Sequence, residues 1–148
     1  MRTAACPLCD GPGGDLVWAG PAFRVIRSDE GGFPAFYRLV WGAHVREFSQ
    51  LAPAQRLLCT EALVTIEQVL LEHLQPDKVN LASLGNAVPH LHWHVIARFA
   101  WDSHFPAPVW AAPQREAPAA ARIVAARAGL ERDMATRLDR LQAAHAPG

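Results

Sequence analysis

"VPHLHWHVIARF", residues 88–99, decides how this chain reads. It places His90, His92 and His94 at alternate positions, separated by Leu91 and Trp93. Side chains in a strand alternate faces with period two. The three imidazoles therefore share one face, roughly 6.5–7 Å apart per step. Leu91, Trp93 and Val95 share the other face and turn toward a core. The run predicts a strand over 90–99 that carries a one-sided polar row on an apolar body.

The pattern continues on both sides. "DLVWAG" (15–20), "FRVIRS" (23–28) and "AFYRLVW" (35–41) are short, rich in β-branched and aromatic residues, and bounded by turn residues. "DEGGFP" (29–34) is the turn between the second and third, because Gly31 and Gly32 can take positive φ. Pro53 opens a helix, since its missing N–H costs nothing in the first turn. Leu58, Ala62, Ile66, Val69 and His73 recur at helical steps, and His73 falls on the apolar side as a core histidine. Gln75-Pro76 ends the helix, because a residue before proline avoids the α region. "KVNLAS" (78–83) is a further strand, and "LGNAVP" (84–89) is the turn before the histidine row. After the Pro-rich "WDSHFPAPVWAAP", a second helical stripe runs from Ala117 through Ile123, Leu130, Met134, Leu138 and Leu141. Strands, a helix, strands and a tail helix make an α+β pattern rather than a βαβ alternation.

Composition excludes several classes. The 148 residues carry 51% hydrophobic and 19% charged side chains, which suits one globular domain with a sizeable core. Lys plus Arg equals 14 and Asp plus Glu equals 14, so there is no basic footprint for nucleic acid or an anionic membrane surface. No apolar run approaches the roughly 18 residues needed to span a bilayer. "MRTAACPLCD" lacks the apolar stretch of a secretory signal, and a cytoplasmic location is expected. Three cysteines make an odd count, which argues against a disulfide scaffold. Cys59 falls inside the helical stripe and reads as a small buried hydrophobe. Cys6 and Cys9 form C-x2-C, a weak zinc signal alone because a structural site needs four ligands.

Three roles are open to the histidine row: a solvated face, a divalent-metal site with an open position, or a nucleophilic imidazole. No Asp or Glu lies close by in sequence to complete a catalytic metal site. A neutral imidazole is a competent nucleophile near pH 7. The preceding segment favours the last role. Asn80, Ser83, Gly85 and Asn86 form a polar, glycine-containing approach whose backbone N–H groups suit an anion, and phosphate is the natural anion beside histidines.

"NLASLGNAVPHLHWHVIARF" resembles the signature of the histidine triad (HIT) superfamily, His-φ-His-φ-His-φ-φ with φ apolar. All three histidines and all four apolar positions are present. "RVIRSDEGGFPAFYRLVWGAHVREFSQL" is similar to the family's strand pair, and the likeness covers about residues 5–100. It looks closest to a bacterial branch that begins with a C-P-L-C segment, and it resembles diadenosine polyphosphate hydrolases. The resemblance implies a HIT-like α+β fold over residues 1–100: an antiparallel sheet of about five strands, one long helix, and a C-terminal extension over 101–148, irregular and then helical. It implies a homodimer and a nucleotide substrate, with no catalytic cofactor.

The resemblance also implies roles. His92, the middle histidine, would attack the α-phosphorus of a nucleoside phosphate and form a nucleotidyl-histidine; His94 would hold a phosphate oxygen, and His90 completes the triad. Asn86 takes the place usually held by Gln, Asn80 would orient the phosphate loop, and Asp29 lies about where the family places its ribose-binding acid. Some relatives bind zinc through a terminal C-x2-C, the His ending the third strand and the first triad His, here Cys6, Cys9, His44 and His90. Such zinc is structural. Ala97 stands where many members carry Pro, and Ala87 where some carry a phosphate-contacting Ser; Ser83 is the nearby hydroxyl. Phe23, Val25 and Phe36 form the apolar wall expected to seat a base. Trp41, Trp93, Trp101 and Trp110 read as core or interface aromatics, and His104 as a cap of the tail on the sheet. Two alternatives accompany this reading: a nucleotide-binding regulatory protein with little turnover, and a metal-dependent hydrolase using the row as ligands.

Overall fold

The structure is a computed structural model that describes residues 5–146. A short helix α1 (Pro7–Asp10) precedes strands β1 (Asp15–Ala19), β2 (Phe23–Arg27) and β3 (Phe36–Trp41). The long helix α2 (Pro53–Leu74) follows, then β4 (Lys78–Ala82), β5 (His92–Arg98) and the tail helix α3 (Ala121–Ala144). The five strands form one antiparallel sheet in the order β1-β2-β3-β5-β4. The α+β architecture and strand number expected from the sequence are present.

Local chemistry sets the boundaries. Ala52 has no capping side chain, and its backbone N–H donates instead to Gln55 Oε1 at 2.8 Å as α2 begins. At the other end Gln75 takes a left-handed φ of 50°, and its N–H closes on the Leu71 carbonyl. The tail helix begins at Ala121 rather than Ala117, because Pro118 keeps Ala117 out of the helical region. The ladder of β5 begins at His92, two residues later than the periodicity suggests; His90 lies just before it.

Alternation splits the sheet into two faces. Val25, Leu39, Val95 and Ala97 bury against Ala62, Ile66 and Leu70 of α2 in one core. Leu130, Met134 and Leu138 of α3 enter the same core, and α3 also packs on β1, where Trp18 Nε1 donates to Asp139 Oδ1 at 2.8 Å. Burying such a side chain fully stabilises by about 1.5–3 kcal/mol. His73 does not join this core. It is partly exposed, with Nε2 2.9 Å from Asp133 Oδ2 of α3. The apolar stripe continues past it to the fully buried Leu74, and His73 lies at its edge, where α3 brings Asp133 against it. Cys59 is buried as expected, and burial pushes its thiol up to about 12.

The other face of the sheet is covered by the N-terminal knuckle and by the irregular strap of residues 99–115. Arg24 of β2 ties the knuckle down, donating to the carbonyls of Leu8, Gly11 and Pro12. The strap is anchored by a buried ion pair. Asp102 accepts from Arg98 Nε at 2.8 Å and from the backbone N–H groups of Phe99, His104 and Phe105. Among the described residues, no helix is long and apolar enough to cross a membrane.

Candidate functional site

The register of the sheet brings the site together. His94 of β5 lies opposite Arg38 of β3 and Ala82 of β4, and His92 lies opposite Val40. His92 and His94 are largely buried, with ring centroids 5.1 Å apart and nearly perpendicular planes. Both line a cleft of about 630 Å³ on the sheet face away from α2. Its walls are Pro7 and Leu8 of the knuckle, the Leu84–Val88 loop, and Trp110 of the strap. Gly85 turns this loop with φ of 74°, a conformation that L side chains rarely adopt.

Hydrogen bonds settle where the protons sit on the three imidazoles. His92 Nδ1 lies 2.6 Å from the carbonyl oxygen of His90. A carbonyl only accepts, so Nδ1 carries the proton and Nε2 keeps its lone pair. His90 Nε2 lies 2.7 Å from the carbonyl of Trp41, so its proton is on Nε2 and its lone pair on Nδ1. At His94 the partner is a donor. Arg38 Nε–H points at His94 Nδ1 at 3.2 Å, and an arginine cannot accept. His94 therefore carries its proton on Nε2. Burial first, then the positive charge of Arg38 and the neighbouring His92, push His94 down to about 4, so it is neutral at pH 7.

The lone pair of His90 has a destination. Its Nδ1 lies 3.5 Å from Cys6 Sγ and 3.6 Å from Cys9 Sγ, while His44 Nδ1 lies 3.3 Å from Cys9 Sγ. The four ligand atoms all lie within 4.8 Å of one another. A tetrahedral ion with nitrogen at about 2.0–2.1 Å and sulfur at about 2.3 Å requires ligand separations of roughly 3.3–3.8 Å. The three N···S distances fall in that range. The His90 Nε2–H bond to Trp41 is the outer contact that orients a metal-ligating imidazole. Burial, opposed by the bond to Trp41 and aided by the charges of His44 and Arg24, holds His90 below the ordinary histidine range, which favours the neutral form a ligand needs. None of Cys6, Cys9 and Cys59 is in a disulfide.

Comparison with known proteins supplies the lineage. A model of the HIT domain matches residues 14–101, more than half of the chain. The chain belongs to the HIT family. This HIT domain is similar to the crystal structure of a histidine triad protein from Bradyrhizobium japonicum, with 27% identity, 83% of this chain and 92% of that chain covered, and a TM-score of 0.70. It is also similar to a histidine triad protein from Marinobacter aquaeolei, with 23% identity, 88% and 92% covered, and a TM-score of 0.68. A zinc-bound histidine triad family protein from Mycobacterium smegmatis shares the fold at 18% identity, with 84% and 86% covered and a TM-score of 0.55. No curated protein sequence matches significantly. Family members are nucleotide hydrolases, nucleotidyl transferases or nucleotide-binding proteins.

The HIT chain gathers some of the residues singled out from sequence and separates others. His92, His94, Asn86 and Gly85 share the cleft. His90 lies beside it in the Cys-His cluster. Ser83 turns its hydroxyl to the His92 carbonyl at 2.8 Å. Asn80 does not reach the cleft loop; its Oδ1 accepts from Arg98 Nη1 at 2.8 Å. Asp29 is exposed and lines a separate hollow of about 270 Å³ with Trp101 and Arg127. The expected base wall is absent: Phe23 and Val25 point into the α2 core, and Phe36 packs with Phe33 and Ile96. His104 packs on Phe33, with ring centroids 4.9 Å apart. Trp110 is no core residue. It is 54% exposed and meets His94 edge-on at 5.5 Å. Arg38 escaped the sequence reading, although a charged residue in the middle of the apolar strand "AFYRLVW" was its signal.

Proposed function

We propose that the protein is a nucleotide hydrolase or nucleotidyl transferase that works through a covalent nucleotidyl-His92. The carrying observation is the His92 Nδ1–H bond to the His90 carbonyl, which leaves the Nε2 lone pair on a residue that lines the cleft. In the first step Nε2 attacks the α-phosphorus of a bound nucleotide. The N–P bond forms, the bond from phosphorus to the leaving atom breaks, and the leaving group departs with that electron pair. The imidazole gains positive charge, and the His90 carbonyl stabilises it through Nδ1–H. His94 Nε2–H is placed to donate to a phosphoryl oxygen. In the second step water attacks phosphorus, its proton goes to solvent, and the N–P electrons return to Nε2. Positioned donors of this kind carry much of phosphoryl-transfer catalysis.

Cys6, Cys9, His44 and His90 fit a structural zinc ion, which would hold the knuckle that walls the cleft. Four protein ligands leave no open position for water. Dinucleoside polyphosphates and nucleoside phosphoramidates are the substrate classes that this chemistry accepts.

The test is rapid mixing with diadenosine tetraphosphate or adenosine phosphoramidate, followed by intact-protein and peptide mass spectrometry. An adenylyl adduct on His92, labile to acid and stable to base, is expected. His92→Ala should lose turnover by about three orders of magnitude or more while still binding AMP. Binding of AMP with neither adduct nor turnover would point to a nucleotide-binding regulatory protein. Turnover abolished by chelation in a protein that stays folded would point to a metal-dependent hydrolase.

A further inference from the structure

The arginines of this sheet differ in what they face. Arg27 pairs with Asp15 and Glu131, and Arg98 pairs with Asp102. Arg38 has one carboxylate partner, the half-exposed Glu30, which accepts from Nη2 at 3.1 Å and is itself bonded by Ser28 Oγ. Its Nε–H points instead at the imidazole of His94. The guanidinium is also packed over the Phe36 ring, 5.3 Å from its centroid. Arg38 is thus held at Nη2 by Glu30 and across its face by Phe36, with the single Nε–H aimed at the third histidine of the row.

His94 has little freedom to answer in any other way. Its ring is met edge-on by Phe36 at 5.4 Å, by His92 at 5.1 Å and by Trp110 at 5.5 Å. A neutral free imidazole favours the Nε2–H form only weakly. Here a donor on one edge makes that form obligatory, and the aromatic neighbours oppose a ring flip that would exchange the nitrogens. The neighbouring His92 has the opposite form, forced by an acceptor. The cleft therefore presents one lone pair and one N–H from adjacent histidines, which is the pairing needed to attack phosphorus and hold its oxygen. Two lone pairs there would repel the phosphoryl oxygens.

We infer that Arg38 is a positioning residue: its Nε–H fixes the tautomer and ring orientation of His94, so that His94 meets the transferring phosphoryl group as an oriented hydrogen-bond donor. The kinetic consequence rests on the His92 reading above; the protonation state of His94 does not. The tautomer of His94 is set by the Nε–H position rather than by the charge.

Side-chain geometry permits a clean separation. In Arg38→Gln the amide nitrogen can occupy the place of Nε, keeping a donor and removing the charge. In Arg38→Lys the charge is kept, but the ammonium lies one atom further out. In Arg38→Glu a carboxylate oxygen, an acceptor, can occupy the place of Nε. Long-range 1H–15N correlation spectra of histidine-labelled protein report which nitrogens of His94 carry protons, without any substrate. The expected result is a bare Nδ1 in the unmodified protein and in Arg38→Gln, and a protonated Nδ1 in Arg38→Glu. In single-turnover nucleotidylation of His92, Arg38→Gln should stay nearest the unmodified rate. Arg38→Lys should fall about tenfold to hundredfold, the value of one lost charge-assisted hydrogen bond, with AMP affinity less affected. A protonated Nδ1 in the unmodified protein, or a bare Nδ1 in Arg38→Glu, overturns the inference. So does the reverse kinetic order, Lys above Gln, which would make Arg38 a charge for binding the anion. If the spectra behave as expected and no variant, nor the unmodified protein, forms an adduct, the positioning of His94 stands and the nucleotidyl-transfer reading falls.

Discussion

Replacing Asp102 with Asn should cost this protein a large part of its stability, although Asp102 lies outside the cleft. Its side chain and that of Arg98 are 1% and 2% exposed. The carboxylate accepts from Arg98 Nε and Nη2 and from three backbone N–H groups of the strap. Asn keeps the size and one acceptor oxygen but removes the negative charge, so the buried Arg98 charge faces neutral acceptors alone: that oxygen, the Asn80 amide oxygen and the Ala107 carbonyl. Removing one partner of a buried pair typically costs about 3–5 kcal/mol, against a total of roughly 5–15 kcal/mol for a domain. At about 2–4 °C per kcal/mol for a chain of this size, the melting temperature should fall by roughly 6–20 °C. The pH dependence has a definite sign. Asp102 is held below its ordinary value of 3.8, because burial, which would raise it, is outweighed by the bonds from Arg98 and the three backbone groups. Its contribution is then complete above about pH 4–5 and lost as pH falls through the depressed folded value. Urea unfolding followed by circular dichroism at pH 7 and at pH 3 gives both quantities. A loss under about 1 kcal/mol at pH 7 would show that water reaches the pair, and would refute the claim that it anchors the strap.

Two further outcomes follow from the site. Cys9→Ser should remove most of the zinc that metal analysis finds in the unmodified protein, and lower the unfolding midpoint; equal metal content in both proteins would show that the cluster is not the binding site. His94 titrates near 4 when folded and near 6.5 when unfolded, so the unfolded chain takes up its proton first as pH falls. Stability should decline from about pH 6.5 toward 4 by up to about 3 kcal/mol, and His94→Phe should flatten that part of the curve. An unchanged slope in His94→Phe would show that His94 titrates normally.

The sequence was most informative where one physical signal dominates. The β5 row is legible because period two puts every second residue on one face, and α2 because its apolar stripe persists to Leu74. The stripe on α3 was legible too, but not its mate, since an amphipathic face does not name what covers it. The Cys6–Cys9–His44–His90 cluster depends on contacts between residues up to 84 positions apart, which only the family resemblance suggested. Asn80 and Asp29 were placed by their proximity in sequence to the histidines or by family analogy. For Asn80 the pleat and register send the side chain elsewhere, opposite Ile96 and onto Arg98, and Asp29 lies exposed at a separate hollow. Arg38 and Trp110 were missed for a common reason. Each acts from a segment remote in sequence; the charge inside an apolar strand marks Arg38 as unusual but does not say that it meets His94.

The recognised domain stops at residue 101, one position before Asp102. The carboxylate that neutralises Arg98 of β5 and the helix that closes the α2 core both come after that point. The segment that the family model matches is therefore shorter than the packed unit that surrounds it. Strap and tail helix are bound into β5 and α2 by buried charge and buried apolar surface. An opening of the strap is then also an opening of β5. Amide exchange at the cleft should report the same free energy as exchange in the strap, as within one cooperative unit.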